Sequence, residues 1–330
     1  MIVPRISIAA SDALEGELQE SLVQQLKRWG FLGSVLLHVE GQPVEGFKAS
    51  IDKVIKKVSG FCDLQIRFDA AANEAAIEML NVGASTLVVG SASQFEQWPA
   101  VPTDRMVLES EIDNVHNVSA LESNPAIVTD FLVERLKSDR PDGLWPTVIC
   151  DPLGIALGLA YSNRESLHHA IETRNGTYWS RSRDSLWVKG ATSGATQQLL
   201  GIRLDCDSDC LRFMVTQDPP GFCHKNTHSC FGEERSIATV LHRLAQRIES
   251  SNEKSFTRRL ATDASLLEKK LLEEAQELAD ASEQDDRYEV AWETADVFYF
   301  SLVAMLKNGV GLDEVYAELG RRMNRVVRRD

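Results

Sequence analysis

The sequence DLQIRFDAAANEAAIEMLNVGASTLVV, residues 63–89, alternates two apolar strand-type runs with one helical pattern. Asp63–Phe68 and Ser85–Val89 predict strands, and Ala71–Leu80 predicts a helix that stops before Gly83. A helix between two strands is typical of a βα unit, in which the crossover lets both strands run in the same direction. The stretch therefore predicts a parallel sheet or a fragment of a barrel.

The same alternation extends toward the N-terminus. The elements predicted there are strands Ile2–Ala9 and Ser34–Val39 and helices Leu14–Trp29 and Gly46–Val58. Further along, Trp, Ser, Arg, Thr and Gly become frequent, and strands are predicted at Gly201–Leu204 and Leu211–Val215, with a helix at Ser236–Glu249. After a polar linker at residues 249–254, the predicted helices are Leu266–Ala281, Tyr288–Lys307 and Leu312–Val327.

These patterns predict a multidomain chain of three fold classes. Residues 1–120 are predicted as an α/β domain, residues 121–250 as a strand-rich mixed α+β domain, and residues 251–330 as an all-α domain. The length of 330 residues agrees with two or three domains.

Composition excludes several classes of protein. The 35 Lys and Arg residues against 49 Asp and Glu residues give a net charge of −14, which argues against binding a nucleic-acid backbone by bulk charge. No apolar run approaches the roughly 18 residues of a membrane helix, and the N-terminus does not resemble a signal peptide. Six cysteines are too few for a disulfide scaffold. We expect a cytoplasmic protein that binds neither nucleic acid nor membrane.

The densest chemistry is at residues 203–210, RLDCDSDC. Asp205, Asp207 and Asp209 offer the hard oxygen ligands that Mg²⁺ prefers. An EF-hand loop is excluded, because Cys210 stands where its sixth position needs glycine. The alternative to a magnesium site is a charged edge strand.

Three cysteines suggest a second metal site. Cys206, Cys223 and Cys230 supply thiolates suited to Zn²⁺ and leave a fourth position for water, as in catalytic zinc sites. Cys210 is either a fourth ligand or a small packing residue. If residues 205–210 are extended, Cys206 faces away from the aspartates, so we hypothesise that two subunits share the zinc site.

Two turn-like stretches carry groups that suit phosphate. Residues 178–183, YWSRSR, and residues 187–194, WVKGATSG, combine cations, hydroxyls and backbone N–H groups beside glycine. Solvated basic turns are the alternative interpretation of both stretches.

Carboxylates recur on the C-terminal helices. Glu273 and Glu277 stand at i and i+4 with Glu274 beside them, and Glu293 and Asp296 stand at i and i+3. Clustered carboxylates repel unless a cation compensates, which fits Mg²⁺ carrying a pyrophosphate group. Two solvated acidic faces are the alternative.

The middle motifs, together with residues 161–165 (YSNRE) and residues 223–231 (CHKNTHSCF), closely resemble the phosphoribosyl-AMP cyclohydrolase family of histidine biosynthesis. The resemblance covers about residues 141–235. It implies zinc on the three cysteines at an interface between subunits, magnesium on the aspartate triplet, and His224 as the general acid or base. The substrate-binding residues that we expect are Arg181, Ser182, Arg183, Lys189, Thr192 and Ser193. Ala191 and His228 depart from the family, which usually has Glu and commonly Arg there.

The acidic pattern EExxE…ExxD of the last segment resembles the phosphoribosyl-ATP pyrophosphohydrolase family over about residues 252–330. The resemblance implies Mg²⁺ on five carboxylates, Glu273, Glu274, Glu277, Glu293 and Asp296, with Glu277 and Asp296 as catalytic residues. Phe300 stands where many bacterial members have His.

Residues 63–93 weakly resemble a βαβ quarter of the ribonucleotide-isomerase barrel of the same pathway, without its glycine-rich phosphate loops. We therefore interpret the N-terminal segment as a degenerate half-barrel with a structural or assembly role.

Together the resemblances point to the bifunctional cyclohydrolase and pyrophosphohydrolase family, most like its fungal type. Since the chain stops at Asp330, we expect no histidinol dehydrogenase segment. The expected function is two successive hydrolyses. Phosphoribosyl-ATP would lose pyrophosphate with Mg²⁺, and the purine ring of phosphoribosyl-AMP would then be opened with Zn²⁺ in a homodimer with shared active sites. The alternative is a housekeeping nucleotide pyrophosphatase fused to a zinc-stabilised interaction domain.

Overall fold

A six-stranded parallel sheet forms the N-terminal part of the structure. The structure is a computed structural model that describes residues 2–10, 14–41, 46–69, 73–232, 236–249, 254–284, 286–323 and 325–326. The strands are β1 (Val3–Ala9), β2 (Ser34–Glu40), β3 (Asp63–Phe68), β4 (Thr86–Val89), β5 (Met106–Leu108) and β6 (Val115–Asn117). Their order is β5-β4-β3-β2-β1-β6, so strands joined by helices lie side by side, as in part of a barrel. The predicted parallel sheet is confirmed.

Helices alternate with the strands of this sheet and follow them in the chain. They are α1 (Gly16–Trp29), α2 (Phe47–Val58), α3 (Asn73–Val82) and α4 (Ser93–Gln97), followed by α5 (Val118–Ser123) and α6 (Ala126–Arg135). On α2, the buried residues Ile51, Val54, Ile55 and Val58 recur at helical spacing and form one apolar stripe. They share a core with alternate strand residues such as Val35. The strands β5 and β6 and the helices α5 and α6 were not predicted; three-residue strands are too short to show a period.

A second sheet follows in the chain. Its strands are β7 (Trp145–Cys150), β8 (Ala156–Ser162), β11 (Gln197–Leu204) and β12 (Leu211–Gln217). Between β8 and β11 the chain forms helix α7 (Arg164–Thr173) and a separate hairpin of β9 (Thr177–Ser180) and β10 (Ser185–Val188). The four-stranded sheet has the order β11-β12-β7-β8, with one parallel pair, β12 with β7. Residues of both sheets belong to one continuous hydrophobic core. The mixed, strand-rich character predicted for this region is confirmed.

The last segment is helical, as predicted. Its helices are α8 (Ile237–Glu249), α9 (Phe256–Thr262), α10 (Ala264–Glu283), α11 (Arg287–Lys307) and α12 (Leu312–Met323). Asp263 and Asp286 cap α10 and α11, because each side chain accepts backbone N–H bonds from the first turn. The prediction of a helix to Val327 was too long, since α12 ends at Met323 and Val326 is not helical; residue 327 lies outside the described residues. Most of the predicted linker, residues 250–253, also lies outside them.

The chain divides into two compact units. One comprises residues 1–232 with residues 316–330, and the other comprises residues 233–315, so α8 belongs to the helical unit. The core of the helical unit contains Leu244 of α8 beside Leu260 and Val303. The three-domain division predicted from the sequence stays a prediction, because a domain is defined by independent folding rather than by contacts alone. Within the described part of the chain, every helix is too short or too polar to span a membrane.

Candidate metal and phosphate sites

The aspartate triplet lies in the hairpin loop between β11 and β12. Asp205 Oδ1 accepts hydrogen bonds from the backbone N–H groups of Asp209, at 3.0 Å, and Cys210, at 3.1 Å. Ser208 takes a left-handed conformation, with φ of 66°, and its carbonyl accepts the N–H of Lys137 at 2.8 Å. This curled backbone brings carboxylate oxygens of Asp205, Asp207 and Asp209 within 4.8 Å of one another, all of them exposed.

The premise of an extended strand at residues 205–210 was therefore wrong. The local reason is that the side chain of Asp205 closes the loop on its own backbone, which a strand cannot do. Burial raises the pKa of Asp205, but the hydrogen bonds from the backbone of Cys210 and from Asp209 together outweigh it, so the pKa of Asp205 is lowered overall. The bond to Asp205 and the charge of Asp207 raise the pKa of Asp209. Such a cluster of exposed oxygen donors fits a hard divalent cation.

Cys223 and Cys230 are brought together by a tight loop. The backbone N–H of Cys223 donates to the carbonyl of Thr227 at 3.1 Å, and that of Cys230 donates to Leu157 of β8 at 2.8 Å. Each thiol changes the ionisation of the other, as expected for neighbouring groups. Bonds from the backbone of Lys225 and the side chain of Thr227 lower the pKa of Cys223, whereas burial and the neighbouring Cys223 raise that of Cys230. A pair of adjacent thiols, one of them easily ionised, fits zinc.

Cys206 does not join this pair. It is exposed in the aspartate loop, with its Sγ 3.9 Å from an oxygen of Asp207. Among the described residues, no group of three metal-ligating side chains within bonding reach of one ion includes a cysteine. The shared zinc site thus stays a prediction, now based on this separation rather than on strand geometry. Cys210 is half-buried, and its thiol donates to the Leu211 carbonyl at 3.5 Å.

His224 and His228 flank the cysteine loop. His224 is exposed, with Nδ1 4.0 Å from the sulfur of Cys223. His228 Nε2 lies 3.0 Å from Oδ2 of Asp151, an acid that is only 8% exposed. The other oxygen of Asp151 accepts the N–H groups of Leu153 and Ile155, so it ties the cysteine loop to the β7–β8 turn. A role for Asp151 was not predicted, although its Asp-Pro-x-Gly pattern is a turn signal.

The substrate-binding residues expected from the sequence lie in two turns. Arg181, Ser182 and Arg183 occupy the β9–β10 turn, where Arg183 Nε donates to Ser180 Oγ at 3.2 Å. The guanidinium groups of Arg181 and Arg140 both lie over the ring of Tyr161, at 3.9 and 4.7 Å from its centre. Tyr161 was quoted in a motif, but its cation–π role was not foreseen.

Lys189 is buried, unlike the two arginines. Only 7% of it is exposed, and its Nζ donates to the Ala195 carbonyl at 3.1 Å, which closes the turn that carries Thr192 and Ser193. Burial lowers the pKa of Lys189, while the nearby Cys230 thiol opposes that effect. The exposed Thr192 and Ser193 therefore sit on a turn that Lys189 shapes.

The helical unit holds the second acidic cluster. Oxygens of Glu274 and Glu277 on α10 and of Glu293 on α11 lie within 4.8 Å of one another. Burial, followed by the charges of Glu277, Glu274 and Asp296, raises the pKa of Glu293, and its Oε2 is buried without a hydrogen-bond partner among the described residues. An orphaned carboxylate oxygen in a crowded acidic group fits a divalent cation.

Glu273 and Asp296 stand at the edge of this cluster. Glu273 pairs with Lys270 at 3.0 Å, and Lys270 also reaches Glu274 at 3.3 Å. Asp296 is near enough to affect Glu293 but is not within 4.8 Å of all three central oxygens. Phe300 is a core residue that packs edge-on against the ring of Tyr299.

The chain thus has two parts, a sheet unit with an acidic cluster and a thiol pair, and a helical unit with a second acidic cluster. Residues 158–232 match the model of the phosphoribosyl-AMP cyclohydrolase family, and residues 238–323 match that of the phosphoribosyl-ATP pyrophosphohydrolase family.

Similar proteins are named as bifunctional or trifunctional proteins of histidine biosynthesis. A histidine biosynthesis trifunctional protein of Komagataella pastoris is 48% identical over 61% of this chain and 24% of its own length. A histidine biosynthesis bifunctional protein of Schizosaccharomyces pombe is 38% identical over 73% of this chain and 59% of its own length. The bifunctional protein HisIE of Prochlorococcus marinus is 38% identical over 58% of this chain and 96% of its own length. The chain thus spans less than two thirds of these two fungal proteins.

The chain belongs to the family of bifunctional histidine biosynthesis proteins that join a phosphoribosyl-AMP cyclohydrolase segment to a phosphoribosyl-ATP pyrophosphohydrolase segment. The family predicted from the sequence motifs is confirmed.

Proposed function

We propose that this chain catalyses two successive hydrolyses of histidine biosynthesis. The helical unit would convert phosphoribosyl-ATP to phosphoribosyl-AMP and pyrophosphate, and the sheet unit would then open the purine ring between N1 and C6. The observation that carries the proposal is the match of both segments, in one chain, to the families of these two reactions. The separate acidic clusters support it, because each reaction handles a phosphorylated substrate.

In the helical unit, Glu274, Glu277 and Glu293 would hold Mg²⁺, with Asp296 and Glu273 at the rim. A bound magnesium ion would neutralise charge on the phosphates during displacement. Lys270 offsets the charges of Glu273 and Glu274, so the central acids keep their positions on α10. We assign Glu277 and Asp296 to positioning the attacking water.

In the sheet unit, Asp205, Asp207 and Asp209 would hold Mg²⁺ near the substrate phosphates. Arg181, Ser182 and Arg183 on one turn, and Thr192 and Ser193 on the turn that Lys189 shapes, would bind phosphoryl oxygens. Asp151 would keep the cysteine loop in register through His228.

The zinc site of this unit would be completed by a second copy of the chain. Cys223 and Cys230 would bind the ion together with Cys206 of the other copy, and zinc would lower the pKa of a water for attack on the ring. His224, exposed next to Cys223, would transfer the proton. The proposal therefore includes a homodimer, and a cytoplasmic location stays a prediction.

Supplying phosphoribosyl-ATP to the purified chain and following pyrophosphate and product absorbance tests both reactions. We expect stoichiometric pyrophosphate followed by ring opening, with little turnover of deoxynucleoside triphosphates. Preference for deoxynucleoside triphosphates, with no ring opening, would favour a housekeeping pyrophosphatase instead.

Subunit mixing tests the shared zinc site. Cys206→Ser and Cys223→Ser should each abolish bound zinc and ring opening, whereas mixed subunits should recover part of both, since some sites regain three thiols. Cys210→Ala is the matched control and should keep zinc. If subunits exchange and neither zinc nor activity returns, the sharing is wrong.

A further inference from the structure

Arg174 holds an unusual backbone position at the end of α7. Its φ of 58° lies in the left-handed region, where a helix normally ends in glycine. Its N–H donates to the Ala170 carbonyl at 3.0 Å, and its carbonyl accepts the N–H of Leu199 at 2.7 Å, so this conformation is fixed from both sides. A long side chain at a position that favours glycine indicates that the side chain itself is needed there.

The guanidinium of Arg174 lies against aromatic rings, and none of the described acidic residues pairs with it. It lies 3.3 Å from the ring centre of Phe31 and 5.4 Å from that of Trp29. Its Nη1 is buried and has no hydrogen-bond acceptor among the described residues. Trp29 is only 4% exposed, and its indole Nε1 likewise lacks an acceptor among them. The guanidinium and the indole are therefore neighbours, and each carries a buried donor that has no acceptor among the described residues.

A second arginine that contacts Phe31, Arg203, has hydrogen-bond acceptors for its guanidinium. Arg203 Nη1 donates to the carbonyls of Phe31, at 3.1 Å, and Ile202, at 2.9 Å, and the charge of Asp63 supports it. Within the described part of the chain, Arg174 has neither kind of partner. Its charged neighbour is Arg28, which pairs with Glu122 at 3.6 Å.

The charge balance around Arg174 is thus positive. Burial, and then the charge of Arg28, lower the pKa of Arg174 to about 9, so the guanidinium stays protonated at neutral pH. Arg174 is half-buried, and its charge has no counter-ion among the described residues, which is unfavourable. An anion that accepted hydrogen bonds from it would reduce that cost.

We propose that Arg174 and Trp29 form a binding site for a small oxyanion, a phosphate or carboxylate group, with Arg28 adding to its positive potential. The site lies on residues outside the acidic clusters, the cysteine pair and the phosphate turns described above. It does not depend on the two hydrolyses proposed for the chain. A planar guanidinium that donates in pairs suits both kinds of anion.

Fluorine NMR of the full chain labelled with 5-fluorotryptophan tests the site, because each of the six tryptophans gives one resonance. The Trp29→Phe variant assigns the Trp29 signal by its loss. Inorganic phosphate and acetate, titrated separately at constant ionic strength against chloride, distinguish the two kinds of oxyanion. We expect one or both to shift the Trp29 signal saturably.

Variants then locate the binding. Arg174→Met should abolish the saturable shift, Arg174→Lys should weaken binding about tenfold through loss of the paired donors, and Arg28→Met should weaken it less. Arg212→Met, which removes an exposed arginine of β12, is the matched control and should leave the shift unchanged. Signals of Trp179 and Trp187 report phosphate at the substrate turns separately.

Two results would overturn the site. One is an unshifted Trp29 signal in the wild-type chain, which would mean that the aromatic rings alone satisfy Arg174. The other is a saturable shift that persists in both Arg174→Met and Arg174→Lys.

Discussion

The two acidic clusters solve the same problem, like charges held close together, in different ways. In the sheet unit, Asp205 turns one oxygen onto its own loop backbone, and all three aspartates stay exposed. In the helical unit, Glu274 is 7% exposed and is paired with Lys270, while Glu293 keeps a buried oxygen without a hydrogen bond. The conformation of the loop depends on hydrogen bonds to Asp205. The helices are instead held by their hydrophobic core, and the repulsion between their acidic side chains is unfavourable.

This difference has a consequence for metal binding. Water screens the exposed loop, so its carboxylates tolerate one another without a cation. The half-buried helical cluster gains more from a cation, because burial strengthens both the repulsion and its relief. Variants of the two sites should therefore differ in stability as well as in activity.

The largest effect is expected from Glu277→Gln. Loss of one central oxygen donor should lower pyrophosphate release at least about 100-fold, the upper end of what a supporting metal partner costs, and leave ring opening of phosphoribosyl-AMP unchanged. Assays of both reactions on the same preparation measure this. Glu268→Gln, an exposed acid of α10 outside the cluster, should behave as wild type. Equal losses for both variants would remove the cluster from the reaction.

The helical cluster should also depend on its core. Leu244→Ala removes a buried side chain that packs in the core of the helical unit and should cost about 2–5 kcal/mol of unfolding free energy. Val240→Ala, on the exposed side of α8, should cost about 0.5 kcal/mol or less. Urea unfolding followed by circular dichroism measures both. A small cost at Leu244 would mean that α8 is not part of this folded unit.

The loop cluster should depend on Asp205 itself. Asp205→Ala removes the acceptor of two backbone N–H bonds and should cost about 1 kcal/mol, since water replaces part of the loss at an exposed site. Asp205→Asn keeps an acceptor and should retain most of that stability while losing magnesium-dependent ring opening. Thermal unfolding and the ring-opening assay separate the two roles. Equal destabilisation by both variants would contradict the hydrogen-bonding role.

The smallest effect is a pH dependence of the helical unit. The pKa of Glu293 is raised above its ordinary value of 4.5. Above pH 4.5 the unfolded state therefore loses this proton first, and stability falls as pH rises through the folded pKa. Without metal, Glu293→Gln should flatten this decline and magnesium should reduce it, as measured by thermal unfolding between pH 4.5 and pH 8. An unchanged slope in Glu293→Gln would show that other groups cause it.

The local sequence was enough to predict the main secondary-structure elements of this protein. Strand and helix periods predicted the parallel sheet around residues 63–89 and the long helices α10 and α11 to within a few residues. The spacing also predicted one acidic face with Glu273 and Glu277 and a second with Glu293 and Asp296, because repeat spacing along one element determines which side chains share a face. The structure instead brings Glu274 together with Glu277 and Glu293.

The remaining features depend on contacts between residues far apart in the chain. Asp151 meets His228 across 77 residues, and Arg203 meets the Phe31 carbonyl across 172. The loop conformation of residues 205–210 was not predicted, because a short polar run fits either a strand or a loop. The hydrogen bond from the backbone N–H of Asp209 to the side chain of Asp205 selects the loop.

The sequence by itself determined the family, the order of the segments and the residue types available for metal and phosphate. Only the tertiary structure decided that Cys206 stays apart from the other two thiols, that Lys189 is buried, and that Arg174 lies on Phe31 without an acid. The physical reason is that periodicity encodes which face a residue occupies, whereas packing of distant elements determines which groups become neighbours and which lose their water.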